Sequence, residues 1–328
     1  MKKRLKFTTY LAILNLILIF DLKGDINAVF RGRGVVMEEE LRYFVAYLEN
    51  IRKASHNTVM SYHSDLTKMI AYLHGQGMDS VSAVRTTHLN SYVLLLEKDG
   101  MAAATISRYI ASMKGFFEYL FREHMIEEDP AFTLKPPKVE KKQPGILTIQ
   151  EMEHLLAQTT EDTPKGCRDK AMLELLYATG MRVSELISLR MEDVNLRFGW
   201  ILCRDEGRER MIPFGEKAGK ALLVYLERGR DAFLKKDTET LFLNCSGAPM
   251  SRQGFWKVLK GYAARAGIEK DITPRMFRHS CAAHMAAGGA RMHMIQELLG
   301  YSDLTAAQIY AGFQPEVKNE YSKVHPRG

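Results

Sequence analysis

Two arginines and a tyrosine near the end of this 328-residue sequence have the types and spacing to hold a phosphate and attack it. The stretch 273–313 begins T-P-R-M-F-R-H-S and ends on a segment containing Q-I-Y, with Tyr310 as its tyrosine. Arg275 and Arg278 are three apart, which puts them on one helix face near an N-terminus, where anions are already favoured. Two guanidinium forks match the oxygens of a phosphate, and a phenol two helices later is a nucleophile once its proton is drawn off. Taken alone, such residues are more often a solvated arginine pair and a core tyrosine. An earlier stretch, Y-A-T-G-M-R-V-S-E-L-I-S-L from Tyr177 to Leu189, adds Arg182 with the carboxylate of Glu185 one turn on.

Local signals predict the elements that must position these groups. Thr273 is an N-cap with Pro274 at the first helical position, and Gly288-Gly289 ends that helix. Ile295, Leu298 and Leu299 give the next helix its apolar stripe, and Gly300 closes it; Ser302 or Asp303 then caps a last helix carrying Tyr310. Upstream, helices are expected over 148–159, 167–179 (broken by Gly180), 181–190, 215–228 and 252–266. Two β-like runs, 200–204 and 210–213, flank Asp205-Glu206-Gly207-Arg208 as a hairpin. Residues 147–328 thus read as a mixed α+β domain, mostly helical with a small hairpin sheet.

Residues 37–132 carry four helical stripes: Leu41, Phe44, Val45 and Leu48; then Val59, Tyr62, Leu66, Met69 and Leu73 after an Asn57-Thr58 start; then Val93 and Leu96, ended by Gly100; then Ile106 to Leu120. That is a small all-α bundle, its fourth-helix aromatics read as packing. Residues 133–146 form a stiff linker, with Pro136, Pro137 and Pro144 among Lys135, Lys138, Lys141 and Lys142. It fits a solvated connector and a strap along a phosphate backbone about equally. Residues 1–36 read as a leader: basic, with an apolar run too short to span a bilayer and no convincing cleavage site. Arg31-Gly32-Arg33-Gly34 before Met37 suggests a ribosome-binding site read in frame, so translation is expected to start at Met37. The native N-terminal mass checks this.

The net charge of +7 overstates basicity, because residues 1–36 hold seven Lys/Arg against two Asp/Glu, a net of +5 that leaves +2 for the rest. The four cysteines are scattered without a C-x-x-C pair, which suggests reduced thiols in a cytoplasmic protein and no metal site. There is no G-x-x-x-x-G-K-[ST] nucleotide loop, and no transmembrane helix is expected.

The stretch around Arg182 and Glu185, with Arg278-His279 and Gln308-Ile309-Tyr310, resembles the tyrosine site-specific recombinases of the phage integrase family, on their Xer branch. Ser55-His56-Asn57-Thr58, Phe116-Phe117, Asp129-Pro130-Ala131 and His325-Pro326-Arg327 extend the likeness over nearly all of 38–327. The resemblance implies a core-binding SAM-like helical domain, a recombinase catalytic domain, and tetramers of like or related protomers on double-stranded DNA. It implies strand exchange through a 3′-phosphotyrosine at Tyr310, with Arg182 and Arg278 clamping the phosphate, Glu185 orienting Arg182, and no cofactor.

The acid–base set departs from the family pattern. The hairpin lysine position falls on Asp205, the histidine before the second arginine is Arg275, and the histidine after Leu299-Gly300 is Tyr301. Arg208 is the next basic hairpin residue, but an arginine is a poor proton donor. Arg275 could still hold phosphate and Tyr301 could still donate a hydrogen bond. Two expectations follow. One is an active recombinase, slowed or served by a substitute acid such as Lys217 or a neighbouring protomer's residue. The other is an inactive, DNA-binding derivative acting as a regulator or as the silent partner in a mixed tetramer.

Overall fold

The structure is a computed structural model that describes residues 37–138, 144–205 and 208–314. The leader, the linker centre, Glu206-Gly207 and everything from residue 315, including the Xer-like C-terminal motif, lie outside the described residues. The chain divides into two compact units, 1–141 and 142–328, the division falling inside the Pro/Lys segment.

In the first unit four helices, α1 (Met37–Asn50), α2 (His56–Gly75), α3 (Thr86–Lys98) and α4 (Ala103–Arg122), bury one stripe each. Phe44, Leu66, Leu73, Phe116, Phe117 and Leu120 form the centre of that core. The α4 aromatics are packing residues: the Phe116 ring meets Phe44 edge-on at 5.6 Å between centroids. Buried Asp65 on α2 accepts from Ser112 Oγ of α4 at 3.0 Å and pairs with Arg108, so a charge-assisted tie joins the two helices inside the bundle. Two local expectations need correction. Helix α2 begins at His56, not at Asn57-Thr58, because Ser55 Oγ accepts the Thr58 N–H. Helix α3 packs through Leu89, Tyr92 and Leu96, while Val93 is only half-buried.

The second unit runs α5 (Ile149–Ala157), α6 (Pro164–Thr179), α7 (Val183–Ser188), strands β1 (Val194–Asn195), β2 (Trp200–Asp205) and β3 (Arg208–Pro213), then α8 (Glu216–Val224), α9 (Arg252–Arg265), α10 (Pro274–Ala287), α11 (Met292–Leu299) and α12 (Thr305–Gln308). The strands form one antiparallel sheet in the order β1-β2-β3, with Cys203 opposite Arg210 and Asp205 opposite Arg208. Strand alternation therefore puts Ile201, Cys203 and Asp205 on one face with Arg208, Arg210 and Ile212. Ile201, Cys203 and Ile212 are buried, so the same pleat that anchors the hairpin points Asp205 and Arg210 inward at its tip.

Caps explain most boundaries. Thr163, with Pro164 behind it, starts α6 three residues before the expected Cys167. Helix α7 is shorter than the expected 181–190 because the chain leaves it to pair elsewhere: the Leu189 carbonyl accepts from Leu241 N at 2.9 Å, and Arg190 bridges Thr240. Strand β1 carried no two-residue signal in the sequence. Tyr310 is not on a helix. α12 stops at Gln308, Tyr310 N–H donates to the Ala307 carbonyl at 3.0 Å, and a 3-10 turn (Ala311–Phe313) follows. Asp303, one of the two expected caps, accepts the Ala306 N–H at 3.2 Å.

Among the described residues no helix is long and apolar enough to cross a membrane. Nor do three or more His, Cys, Asp or Glu among them gather as a metal site.

Candidate active site

The centre of the site is the C-terminus of α11. A helix ends with carbonyls that have no partner inside it, and these carry the negative end of its dipole. Here three arginines from three different elements meet three consecutive carbonyls. Arg210 of β3 donates from Nε to Leu298 O at 3.1 Å, Arg278 of α10 donates from Nη2 to Leu299 O, and Arg182 ahead of α7 reaches Gly300 O at 3.5 Å. Like charges would otherwise repel, and these carbonyl acceptors offset part of that cost before any anion arrives.

Glu185 supplies part of the balancing charge. Its carboxylate is buried, takes Arg210 in a two-point fork at 2.6 and 2.9 Å, and accepts from Arg182 Nη1 at 3.2 Å. It also accepts the backbone N–H of Arg182 at 2.6 Å, which starts α7. Burial would raise the Glu185 pKa, but the Arg210 and Arg182 hydrogen bonds and charges outweigh it and hold the group below its ordinary value. Arg278 is buried too, and burial, joined by the charge of Arg182, lowers its guanidinium below the usual value.

Two glycines permit this approach. Gly180 adopts φ 59°, its carbonyl accepts Arg278 Nη1 at 2.9 Å, and a Cβ there would meet Leu299 Cδ2 at 2.5 Å. Gly300 closes α11 at φ 64°, and a Cβ there would sit 2.9 Å from Arg210 Nη1. Gly300→Ala is therefore expected to destabilise the second unit by about 1–2 kcal/mol of left-handed strain alone, plus displacement of the arginines, read as a lower Tm.

Tyr310 is fully buried, yet its hydroxyl faces polar groups. It lies 3.1 Å from the Tyr301 hydroxyl and is hydrogen-bonded to His279 Nδ1. The Arg278 guanidinium lies over the Tyr301 ring, 4.8 Å from its centroid. Burial, then the Tyr301 hydroxyl, pushes the Tyr310 phenol well above its ordinary value, while Arg278 and Arg275 pull it down. Arg182, Arg278, Tyr301 and Tyr310 thus gather about the Leu299–Tyr301 turn.

Arg275 and Arg278 do not form a single two-pronged clamp. Arg278 is buried and turned to the α11 terminus, whereas Arg275 is exposed and donates from Nε to His279 Nε2 at 3.1 Å. Lys217 is not part of the site: it pairs with Glu153 at 3.2 Å and lines a separate groove with Glu174. Sequence reasoning missed Arg210 and His279 as members. The pleat places Arg210 on the same face as Asp205, and His279 lies next to Arg278 in the motif that carries the resemblance, but neither was given a role.

Asp205 changes the electrostatics most. Its carboxylate takes Arg182 Nη1 at 2.6 Å, both side chains being half-exposed. The pair lines a cleft of about 710 Å³ with Arg208, Arg210, Tyr301 and Ser302. The Arg182 guanidinium is thus held by an internal anion.

Residues 146–316 match the Phage integrase family, and residues 41–124 match its N-terminal SAM-like domain. Tyrosine recombinase XerD of Oceanobacillus iheyensis is 38% identical over 297 residues, covering 89% of this chain and 100% of that protein. Tyrosine recombinase XerD of Listeria monocytogenes serotype 4b is 38% identical over 296 residues, with 89% and 100% covered. Among solved structures, the XerH recombinase bound to palindromic difH substrate in a post-cleavage complex shares the fold, with TM-score 0.68, 20% identity and 85% and 84% coverage. A lambda integrase (75–356) dimer bound to a COC′ core site does so with TM-score 0.65, 18% identity and 84% and 95% coverage. Two family domains matched in chain order, and relatives aligned from end to end, leave one conclusion: the chain belongs to the phage integrase family of tyrosine recombinases, on its Xer-like branch.

Proposed function

We propose that the protein binds double-stranded DNA and cuts and rejoins its strands through Tyr310. The Tyr310 oxygen attacks a backbone phosphorus, the P–O5′ bond breaks, and the released 5′ oxygen takes a proton; attack by another strand's 5′-hydroxyl reverses the step. The transition state spreads negative charge over the non-bridging oxygens, and Arg182 and Arg278 are the groups whose forks match it. Arg275, which is exposed, retains both Nη groups for phosphate, since among the described residues only its Nε is engaged. The observation that carries this reading is the gathering of Arg182, Arg278, Tyr301 and Tyr310 about one turn.

Related recombinases solved on DNA, including a lambda integrase dimer, support DNA and further protomers as the partners; a tetramer of like or related chains on two sites fits the Xer likeness. The reaction as written needs no cofactor.

A second reading has its own observation. Where the resemblance expects a general-acid lysine, Asp205 is a carboxylate that accepts a hydrogen bond from Arg182 Nη1 and so competes with a phosphate for that group. That favours a strongly slowed enzyme, or a DNA-binding regulator or silent partner in a mixed tetramer. A nicked DNA duplex that traps the covalent intermediate separates the two. An adduct whose mass maps to Tyr310 supports strand transfer; DNA binding without any adduct supports the silent partner; an adduct on another residue overturns the site.

A further inference from the structure

We propose that Arg275 is a positioning residue which, through His279, fixes the direction of a hydrogen-bond chain that carries the Tyr310 proton outward to Tyr301. A guanidinium can only donate, so the Arg275 Nε–H placed 3.1 Å from His279 Nε2 requires that nitrogen to be an unprotonated acceptor. A neutral imidazole carries one proton, which must then be on Nδ1. Nδ1 is the atom bonded to Tyr310 Oη, so His279 donates and Tyr310 accepts. Protonating Nε2 would set N–H against N–H. Burial, then the charges of Arg275 and Arg278, lowers the His279 pKa to about 4, in keeping with a neutral ring.

The rest of the chain follows from burial. Tyr310 is fully buried, so its own proton needs a protein acceptor, and among the described residues the Tyr301 hydroxyl 3.1 Å away is the one in reach. Tyr301 is only half-buried and lines the open cleft with Arg182 and Asp205. The proton of Tyr310 Oη therefore passes to Tyr301 Oη as the Tyr301 proton passes to water in the cleft. The developing phenolate keeps the His279 N–H as a donor and gains Arg278 as a nearby cation. His279 stabilises the nucleophile and does not act as its base.

Within the proposal, the tautomer stands on this geometry alone, whereas the outward transfer rests on the strand-transfer reading. Two measurements on the full chain keep their failures apart. Long-range proton–nitrogen NMR of the ring, without DNA, reads the tautomer. His279 is expected as the Nδ1–H form at pH 7, retained in Arg275→Gln, whose amide can still donate, and converted to a tautomer mixture in Arg275→Ala. The ring pKa should rise in both variants, since each removes a charge that lowers it. An Nε2–H wild-type ring, or a ring unchanged by Arg275→Ala, overturns the lock. On the nicked duplex, Tyr301→Phe is expected to slow adduct formation by about 10²-fold, in the range for losing a positioned proton carrier. An unchanged rate overturns the outlet, whatever the tautomer.

Discussion

Asp205→Lys is expected to raise the rate of covalent adduct formation on a nicked duplex by about 10²–10⁴-fold, the usual contribution of a positioned general acid. Asp205 sits at the inward-facing tip of β2, on the buried face of the hairpin, and takes Arg182 Nη1 at 2.6 Å. Its replacement changes two things at once. On the proposed reaction, it frees a guanidinium for the phosphate and places an ammonium donor where the leaving 5′ oxygen would take a proton. Asp205→Asn separates them, because it removes the charge and supplies no acid. If Asn recovers as much rate as Lys, the ion pair is the whole obstacle; if Asn recovers about tenfold and Lys far more, both terms operate. No gain from either variant would sink the view that this carboxylate restrains the site. The lysine will stand close to Arg182 and Arg210, of whose two positive charges Glu185 compensates one, and the half-exposed position of residue 205 screens part of the remaining repulsion.

The sequence named candidate residues more fully than it placed them. Caps and glycines marked both ends of α10 and the end of α11, because Thr273 with Pro274 and Gly300 have few structural uses besides helix ends. The four-helix bundle was legible from its stripes for the same reason: burial on one face repeats at the helical period. What escaped was long-range. Nothing in T-A-A-Q-I-Y says that α12 ends before its tyrosine, since the turn is held by tertiary packing of Ala307 and Tyr310. Arg275 and Arg278 look like one face of a helix on a wheel. Yet long side chains reach different partners, and Arg278 is drawn inward by carbonyls of Gly180 and Leu299, far off in the chain. Arg210 was visible only as part of a β-run, because the partner that gives it meaning, Glu185, lies on another element. Lys217 failed as a substitute acid on the same ground: proximity in sequence to the hairpin does not turn α8 toward the cleft.

Glu185→Ala is expected to lower the Tm of the second unit on the order of 10 °C and to abolish adduct formation. Removing one partner of a buried ion pair costs about 3–5 kcal/mol, because the other charge is left without compensation, and a unit of this size loses roughly 2–4 °C per kcal/mol. Here that other charge is Arg210, largely buried and held at two points by Glu185, and Arg182 loses its orienting carboxylate in the same stroke. The pH dependence gives a second check with a definite sign. Burial would raise the Glu185 pKa, but hydrogen bonds from Arg210 and the Arg182 backbone, with both charges, hold it below 4.5. A depressed folded pKa contributes stability that is fully present above the unfolded value and lost as pH falls through the folded one. The Tm gap between wild type and Glu185→Gln should therefore be complete at neutral pH and narrow only on acidification below about 4.5. Glu185→Met combined with Arg210→Met tests the cause, since a buried pair replaced whole by apolar side chains of similar size often costs little. Recovery of most of the lost Tm in that double variant, with adduct formation still absent, would show that the pair is kept for the orientation of Arg182 and not for stability. Failure to recover would place its value in the packing of α7 against the hairpin instead.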